Sequence, residues 1–110
     1  MAAQDEADYH RRAEAVLMRI AATAEDSLAD HTEVERAGSV LTVEMDDESY
    51  VINKHEPTRQ VWLSSPVSGA WHFVWQPDRQ GWIDTRQGRE LLALLAEEWS
   101  AVSGVDVSFG

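Results

Sequence analysis

Carboxylates cluster in the first half of the chain, where they could hold a metal ion. Residues 1–48 contain 13 Asp and Glu against 4 Lys and Arg, so this segment carries −9 of the total −11. Carboxylate oxygens are hard ligands suited to iron, manganese, magnesium or calcium, and exposed groups would bind such ions weakly and exchangeably. From spacing alone, a solvated acidic surface fits the same pattern. We call this candidate metal-binding set the acidic ridge: Glu25, Asp26, Asp30, Glu33, Glu35, Glu44, Asp46 and Asp47.

A histidine near the start of the first helix is a further candidate ligand. His10 lies one turn into the helix beside Asp5, Glu6 and Asp8, so its imidazole could add a ligand to a nearby acidic site. A lone helical histidine is also common as an ordinary surface residue. His31 and His55 fall in predicted turns, where we expect them to be solvated.

A tryptophan expected on the wet face of a sheet is the candidate for partner binding. Val61 and Leu63 alternate with Gln60 and Trp62, and if the first pair faces the core, the second faces solvent. Exposed aromatic rings beside hydrogen-bonding groups are typical interface anchors. The alternative is a Trp62 covered by its long neighbours. The same alternation puts two more side chains on this face and defines a polar platform: Asn53, Gln60, Trp62 and His72.

Motifs for catalysis are missing from the sequence. There is no Glu-x-x-His pair of the diiron type, no His-Glu-x-x-His, no glycine-rich phosphate loop and no Gly-x-Ser-x-Gly elbow. Exposed carboxylates on a ridge are poorly placed to have tuned pKa values for acid–base work. The sequence therefore favours binding over catalysis.

The elements that must position these residues can be read from periodicity. Apolar residues recur at three- and four-residue steps from about 5 to 28 and again beyond Gly88, which predicts two amphipathic helices. From about 33 to 84 the period is two, with turn signals between short segments, which predicts an antiparallel meander of five or six strands. Phe73 should lie in its core, and Trp71 and Trp75 in the core or at its edge. We expect an α+β two-layer sandwich with both helices on one face of the sheet.

Composition sets limits on the rest. The 110 residues suit a single domain over 1–110. The absence of cysteine excludes disulfides, thiolate metal sites and iron–sulfur clusters ligated by the chain's own thiolates. The acidic charge disfavours nucleic acid and anionic lipid as partners and would attract cations or basic proteins. No apolar run is long enough to span a membrane, and the residues from Met1 show no signal core, so we expect a cytoplasmic protein.

The segment around the polar platform resembles the frataxin family. The resemblance rests on Asn53-Lys54, Pro57, the run from Gln60 to Ser65 (Gln-Val-Trp-Leu-Ser-Ser), and Pro66 with Gly69. It implies the helix–meander–helix fold. It also implies that the acidic ridge binds ferrous and ferric iron and docks on a basic surface of the cysteine desulfurase. Trp62 and its polar neighbours would contact the iron–sulfur scaffold assembly.

The resemblance implies a function and leaves alternatives to test. The expected function is an iron-binding monomer, with possible iron-dependent oligomers, that modulates iron–sulfur cluster assembly. Ala21 and Ala22 occupy a stretch of the ridge helix where family members carry glutamates, so fewer iron ligands are expected there. The alternatives are a ferroxidase or iron-storage protein and a metal-independent adaptor.

Overall fold

The computed structural model describes residues 5–109. Within this range the chain forms two α-helices, six strands and one 3₁₀ turn. Their bounds are α1 Glu6–Ser27, β1 Thr32–Ala37, β2 Val40–Met45, β3 Glu48–His55, the 3₁₀ turn Glu56–Thr58, β4 Gln60–Ser65, β5 Gly69–Gln76, β6 Gly81–Asp84 and α2 Leu91–Ser103.

The six strands form one antiparallel sheet in chain order, from β1 at one edge to β6 at the other. Tight turns join them, and the turns at both ends of β2 use left-handed backbone conformations. Gly38 turns β1 into β2 with φ 58°, and Asp46 begins the β2–β3 turn with φ 54°. Aspartate tolerates this region better than most residues, so the turn keeps a carboxylate where glycine is usual.

The core lies between the sheet and the two helices. Strand residues alternate between buried and more exposed, and those buried on β2 to β5 meet the apolar face of α1 and the α2 side chains Leu94, Leu95 and Trp99. Burying a Leu or Ile side chain of this kind contributes roughly 1.5–3 kcal/mol. The other face of the sheet, which we call the open face, is covered by neither α1 nor α2. This arrangement confirms the expected α+β two-layer sandwich.

Side-chain hydrogen bonds fix both ends of α1. Asp5 caps the N-terminus, with its carboxylate accepting from the Asp8 backbone N–H at 2.7 Å. At the other end the Thr32 hydroxyl reaches the carbonyls of Ala24 at 3.0 Å and Leu28 at 2.9 Å. The Ala24 carbonyl also accepts from the Leu28 N–H at 3.1 Å and the Leu28 carbonyl from the His31 N–H at 2.9 Å, so the hydroxyl is a second partner for each. Thr32 therefore anchors the start of β1 beneath the acidic end of α1.

A buried carboxylate ties α2 to the sheet. One oxygen of Glu98 accepts from the Tyr50 hydroxyl at 3.0 Å and from Ser65 at 2.6 Å, and the other accepts from Ser68. The Trp71 indole N–H then donates to Ser68 at 2.8 Å. Burial and the Glu98 carboxylate both raise the pKa of the Tyr50 phenol, which stays a donor. The network locks the β4–β5 turn.

Trp75 lies at the edge of the core, which agrees with its prediction as a core or core-edge residue. It is only half-buried and packs at the core edge, where the Arg12 guanidinium lies 5.0 Å from its ring centroid. The strand parity is as predicted, and Trp75 packs against the buried core residues. Neither helix of residues 5–109 is long and apolar enough to cross a membrane.

Candidate functional site

The acidic ridge is built by strand parity at the β1 edge of the sheet. Glu33 and Glu35 alternate with Val34 and both are exposed on the open face. Glu33 lies directly opposite Glu44 of β2, and Glu35 lies opposite Thr42. The structure thus sets two carboxylates of neighbouring strands side by side at the water-exposed face.

The ridge carboxylates continue around a shallow polar depression at the end of the sheet. The depression, of about 430 Å³, is bordered by Asp30, Glu33, Glu44 and Asp46 together with His31. His31 was expected to be solvated, yet its side chain is largely covered, and its Nδ1 lies 3.5 Å from Asp46 Oδ1. The β2–β3 turn folds back over the end of α1 and brings the two together, with a further backbone bond from Asp46 N–H to His31 O at 2.9 Å.

Glu25, Asp26 and Asp47 complete the ridge as exposed side chains that do not line this depression. The last turn of α1 contains no basic residue, so Glu25 and Asp26 add negative charge where the helix dipole is already negative. Within residues 5–109, no Lys or Arg forms an ion pair with any ridge carboxylate. The ridge therefore holds an uncompensated negative field.

The nearby cations are engaged on the opposite face of the sheet. Glu14 of α1 accepts hydrogen bonds from Arg36 at 2.7 and 3.1 Å and from Lys54 at 2.9 Å. These bonds, led by those from Arg36, lower the pKa of Glu14 to about 2. Arg36 belongs to the same strand as Glu33 and Glu35, but its even position directs it toward α1. Arg36 and Lys54 are therefore paired with Glu14 and do not neutralise the ridge.

His10 and Asp8 lie far from the ridge, at the other end of α1, and they do not share a cluster. Asp8 pairs with Arg11 on its own helix. His10 Nε2 instead lies 2.6 Å from Glu56 Oε1 in the 3₁₀ turn, and Glu6 completes a group whose three ligand atoms all lie within 4.8 Å of one another. Asp8 and His10 are two residues apart and point to different sides of the helix, whereas Glu6, one of the acidic residues expected beside His10, lies next to it. Sequence reasoning missed Glu56.

The polar platform exists as expected, with Trp62 at its centre. Trp62 pairs across the sheet with Asn53 on one side and His72 on the other. Its indole N–H donates to the Gln60 side-chain oxygen at 2.7 Å. All four platform residues are half-buried, so neither Trp62 nor His72 is as exposed as predicted. Mutual packing of the large side chains accounts for the difference.

Two imidazoles sandwich the indole of Trp62. The His72 ring stacks on it at 4.3 Å between centroids, and the His55 ring stacks at 3.6 Å with 10° between the planes. Because β3 and β5 flank β4, the two imidazoles cover opposite faces of the indole. His55 was expected to be solvated in a turn, but β3 extends to include it, opposite Gln60. His55, Trp62 and His72 form what we call the ring stack.

This fold and these two surfaces define a class: a small α+β protein with an open antiparallel sheet that carries an acidic surface and an aromatic surface. The family model of the frataxin-like domain matches residues 2–105. The chain belongs to the frataxin family.

Individual relatives agree with this assignment. The chain is 40% identical over 95 residues, covering 86% of itself and 88% of the relative, to a Vibrio cholerae protein named iron-sulfur cluster assembly protein CyaY. It is 37% identical over 98 residues to the mitochondrial frataxin homolog of Schizosaccharomyces pombe; the match covers 84% of the chain but 62% of that longer relative.

Solved structures also match. Frataxin from Psychromonas ingrahamii superposes with a TM-score of 0.85 at 28% identity, covering 97% of this chain and 99% of that one. Trimeric frataxin from Saccharomyces cerevisiae, complexed with ferrous iron, matches with a TM-score of 0.64 at 31% identity, over 94% of this chain and 90% of the yeast chain.

Proposed function

We propose that this protein is a cytoplasmic iron-binding protein that modulates iron–sulfur cluster assembly by binding the cysteine desulfurase and its scaffold. The observation that carries the proposal is the register of Glu33 against Glu44, in a ridge that lacks counterions. Paired, hydrated carboxylates without an enclosing cage suit weak and exchangeable binding of Fe²⁺ or Fe³⁺. Weak binding is appropriate for iron that must be passed on or sensed.

The relatives support the same assignment. The Vibrio cholerae relative is named for iron–sulfur cluster assembly, and a yeast frataxin has been solved complexed with ferrous iron. Both are at least 30% identical to this chain. We carry over iron as the cargo and cluster assembly as the process.

The mechanism would use the two surfaces of the open sheet together. The acidic ridge attracts iron and a basic patch on the desulfurase, while the polar platform contacts the scaffold or the sulfur-bearing loop. Because both indole faces of Trp62 are covered, the ring stack offers its edges to the partner as one preorganised unit. Bound iron would neutralise the same charges that steer docking, so iron occupancy would modulate partner binding.

Anaerobic titration with ferrous iron, followed by NMR of the backbone amides, tests the iron site. We expect paramagnetic broadening at residues 25–48, and we expect the double variant Glu33→Gln with Glu44→Gln to need several times more iron for the same effect. Asp78→Asn is the matched control, since Asp78 is an exposed carboxylate at the opposite edge of the sheet. Equal weakening in the control, or no localised broadening, would reject the ridge as the iron site.

Desulfurase binding is tested separately by calorimetry at low and high ionic strength. Steering by the ridge requires affinity to fall as salt rises and to change when ferrous iron is added. An affinity that depends on neither salt nor iron would exclude this docking mechanism. Light scattering of the same samples tests whether the protein, which we propose to be a monomer at rest, forms larger assemblies with iron.

A further inference from the structure

Three side chains able to ligate a metal meet at the N-terminal end of α1. Glu6 and His10 come from the helix and Glu56 from the 3₁₀ turn between β3 and β4, and one ligand atom from each lies within 4.8 Å of the others. We propose that Glu6, His10 and Glu56 form a binding site for a first-row divalent transition-metal ion. This site is distinct from the acidic ridge and goes beyond the proposed function.

The donor set indicates the type of ion. One imidazole and two carboxylates suit Fe²⁺, Co²⁺ or Zn²⁺, whereas Mg²⁺ and Ca²⁺ prefer oxygen alone. Ligand atoms about 2.1 Å from a metal lie about 3.0–3.4 Å from one another. His10 Nε2 and Glu56 Oε1 lie 2.6 Å apart, so they need to separate by only a few tenths of an ångström. Side-chain rotation is enough for this.

The backbone that carries the three ligands is held in place by other contacts. Glu6 and His10 are four residues apart, so they share one face of α1. The neighbouring Tyr9 is fully buried, and its hydroxyl donates to the Gln60 carbonyl at 2.8 Å, which fixes the start of the helix against β4. In the 3₁₀ turn, the Arg59 N–H donates to the Glu56 carbonyl at 3.0 Å. The site is therefore assembled before an ion arrives.

Charge and access also favour a cation. The side chains of His10 and Glu56 are 40% and 56% exposed, so an ion can enter directly from water. Arg11, the nearest cation on the helix, is already engaged by Asp8.

The site is too far from the ridge to be part of it. Sixteen residues of helix separate His10 from Asp26, which corresponds to about 24 Å at 1.5 Å per residue. The two sites can therefore fill independently. An ion bound here would clamp α1 to the 3₁₀ turn, whose flanking residues His55 and Gln60 belong to the ring stack and the polar platform. Occupancy would consequently restrain the partner-binding surface.

Titration with Co²⁺ alone tests the proposal, because the ion is paramagnetic and accepts mixed nitrogen and oxygen ligands. We expect amides near residues 6–10 and 56 to broaden or shift, and the affinity at this location to fall at least about tenfold in His10→Gln. His31→Gln is the matched control, since His31 forms the other helix-end histidine–carboxylate pair, with Asp46. It should leave the signals at residues 6–10 and 56 unchanged.

Glu56→Gln provides a second variant in a different element, and it should weaken the same signals while preserving the rest of the amide spectrum. The proposal is overturned if Co²⁺ perturbs only residues 25–48, or if His10→Gln binds at the helix start as tightly as the unmodified chain. Either result would leave the ridge proposal intact, because that proposal depends on broadening at residues 25–48 with ferrous iron.

Discussion

Replacing Glu33 with Gln should make the protein more stable while weakening its iron site. Glu33 and Glu44 are directly opposite on adjacent strands, and both are exposed on the open face. Two like charges about 6 Å apart in water repel by about 0.7 kcal/mol. Cross-strand pairs contribute roughly 0.2–1 kcal/mol, and the sign is unfavourable for like charges. We therefore expect Glu33→Gln to raise the free energy of unfolding by about 0.5–1 kcal/mol at neutral pH.

Thermal unfolding followed by circular dichroism measures this gain. For a domain of this size, it corresponds to a rise in Tm of roughly 2–6 °C. Because the repulsion is between exposed charges, it should shrink when ionic strength rises from about 0.01 M to 0.15 M, which shortens the Debye length from about 30 to 8 Å. Ferrous iron should reduce the gain too, since the ion neutralises the pair in the unmodified protein.

Glu35→Gln is the control, because Glu35 lies on the same strand and face but opposite the neutral Thr42. It should change Tm by less than Glu33→Gln, and the double variant of Glu33 and Glu44 should gain less than the sum of the two single changes. The reasoning is refuted if Glu33→Gln lowers Tm, or if Glu35→Gln raises it equally. A gain would mean that the fold retains a destabilising pair for the sake of binding.

Three further changes test other parts of the molecule. Hydrogen bonds from Arg36 and Lys54 lower the pKa of Glu14 from 4.5 to about 2. The ionised Glu14 therefore stabilises the folded state above pH 4.5, and this contribution is lost as the pH falls toward 2. Since this side chain is 41% exposed, solvent screening limits the effect to about 1 kcal/mol, and urea unfolding of Glu14→Gln should show a flatter pH dependence in that window. Glu98→Ala should lower the free energy of unfolding in urea by about 2–4 kcal/mol, because buried hydroxyls lose their acceptor; its exposed neighbour Glu97→Ala should change it by less than about 0.5 kcal/mol. Trp62→Ala should keep the fold by circular dichroism but weaken desulfurase–scaffold binding at least about tenfold in calorimetry, and unchanged affinity would remove the ring stack from the interface.

Alternation along the strands made the fold and the polar platform predictable from the sequence. Val61 and Leu63 are buried while Gln60 and Trp62 face the open side, as the period of two requires. The same rule placed Glu33 and Glu35 together on one face. Such predictions succeed because a strand in a two-layer sandwich has only two directions for its side chains, and burial selects one of them.

The sequence did not reveal contacts made by residues distant along the chain. His10 meets Glu56 across 46 positions, and the packing of α1 on the sheet brings them together. His55 was within reach of sequence reasoning, because the alternation through Asn53 continues to it. The Glu56-Pro57 pair predicts a turn that includes His55. In the structure β3 continues through His55, and the turn begins one residue later, at Glu56.

The charge asymmetry of the sheet follows from this alternation, and it explains why the acidic ridge can act as a binding surface. On β1 the odd positions Glu33 and Glu35 point to the open face, whereas the even position Arg36 points to α1 and binds Glu14. A shift of one residue in the register would reverse these directions and put the arginine on the open face, the face that carries Glu44. The pairing of Arg36 with Glu14 thus does two things: it holds α1 against the sheet edge, and it keeps a counterion away from the ridge. Stability and the negative field of the binding face therefore depend on the same register.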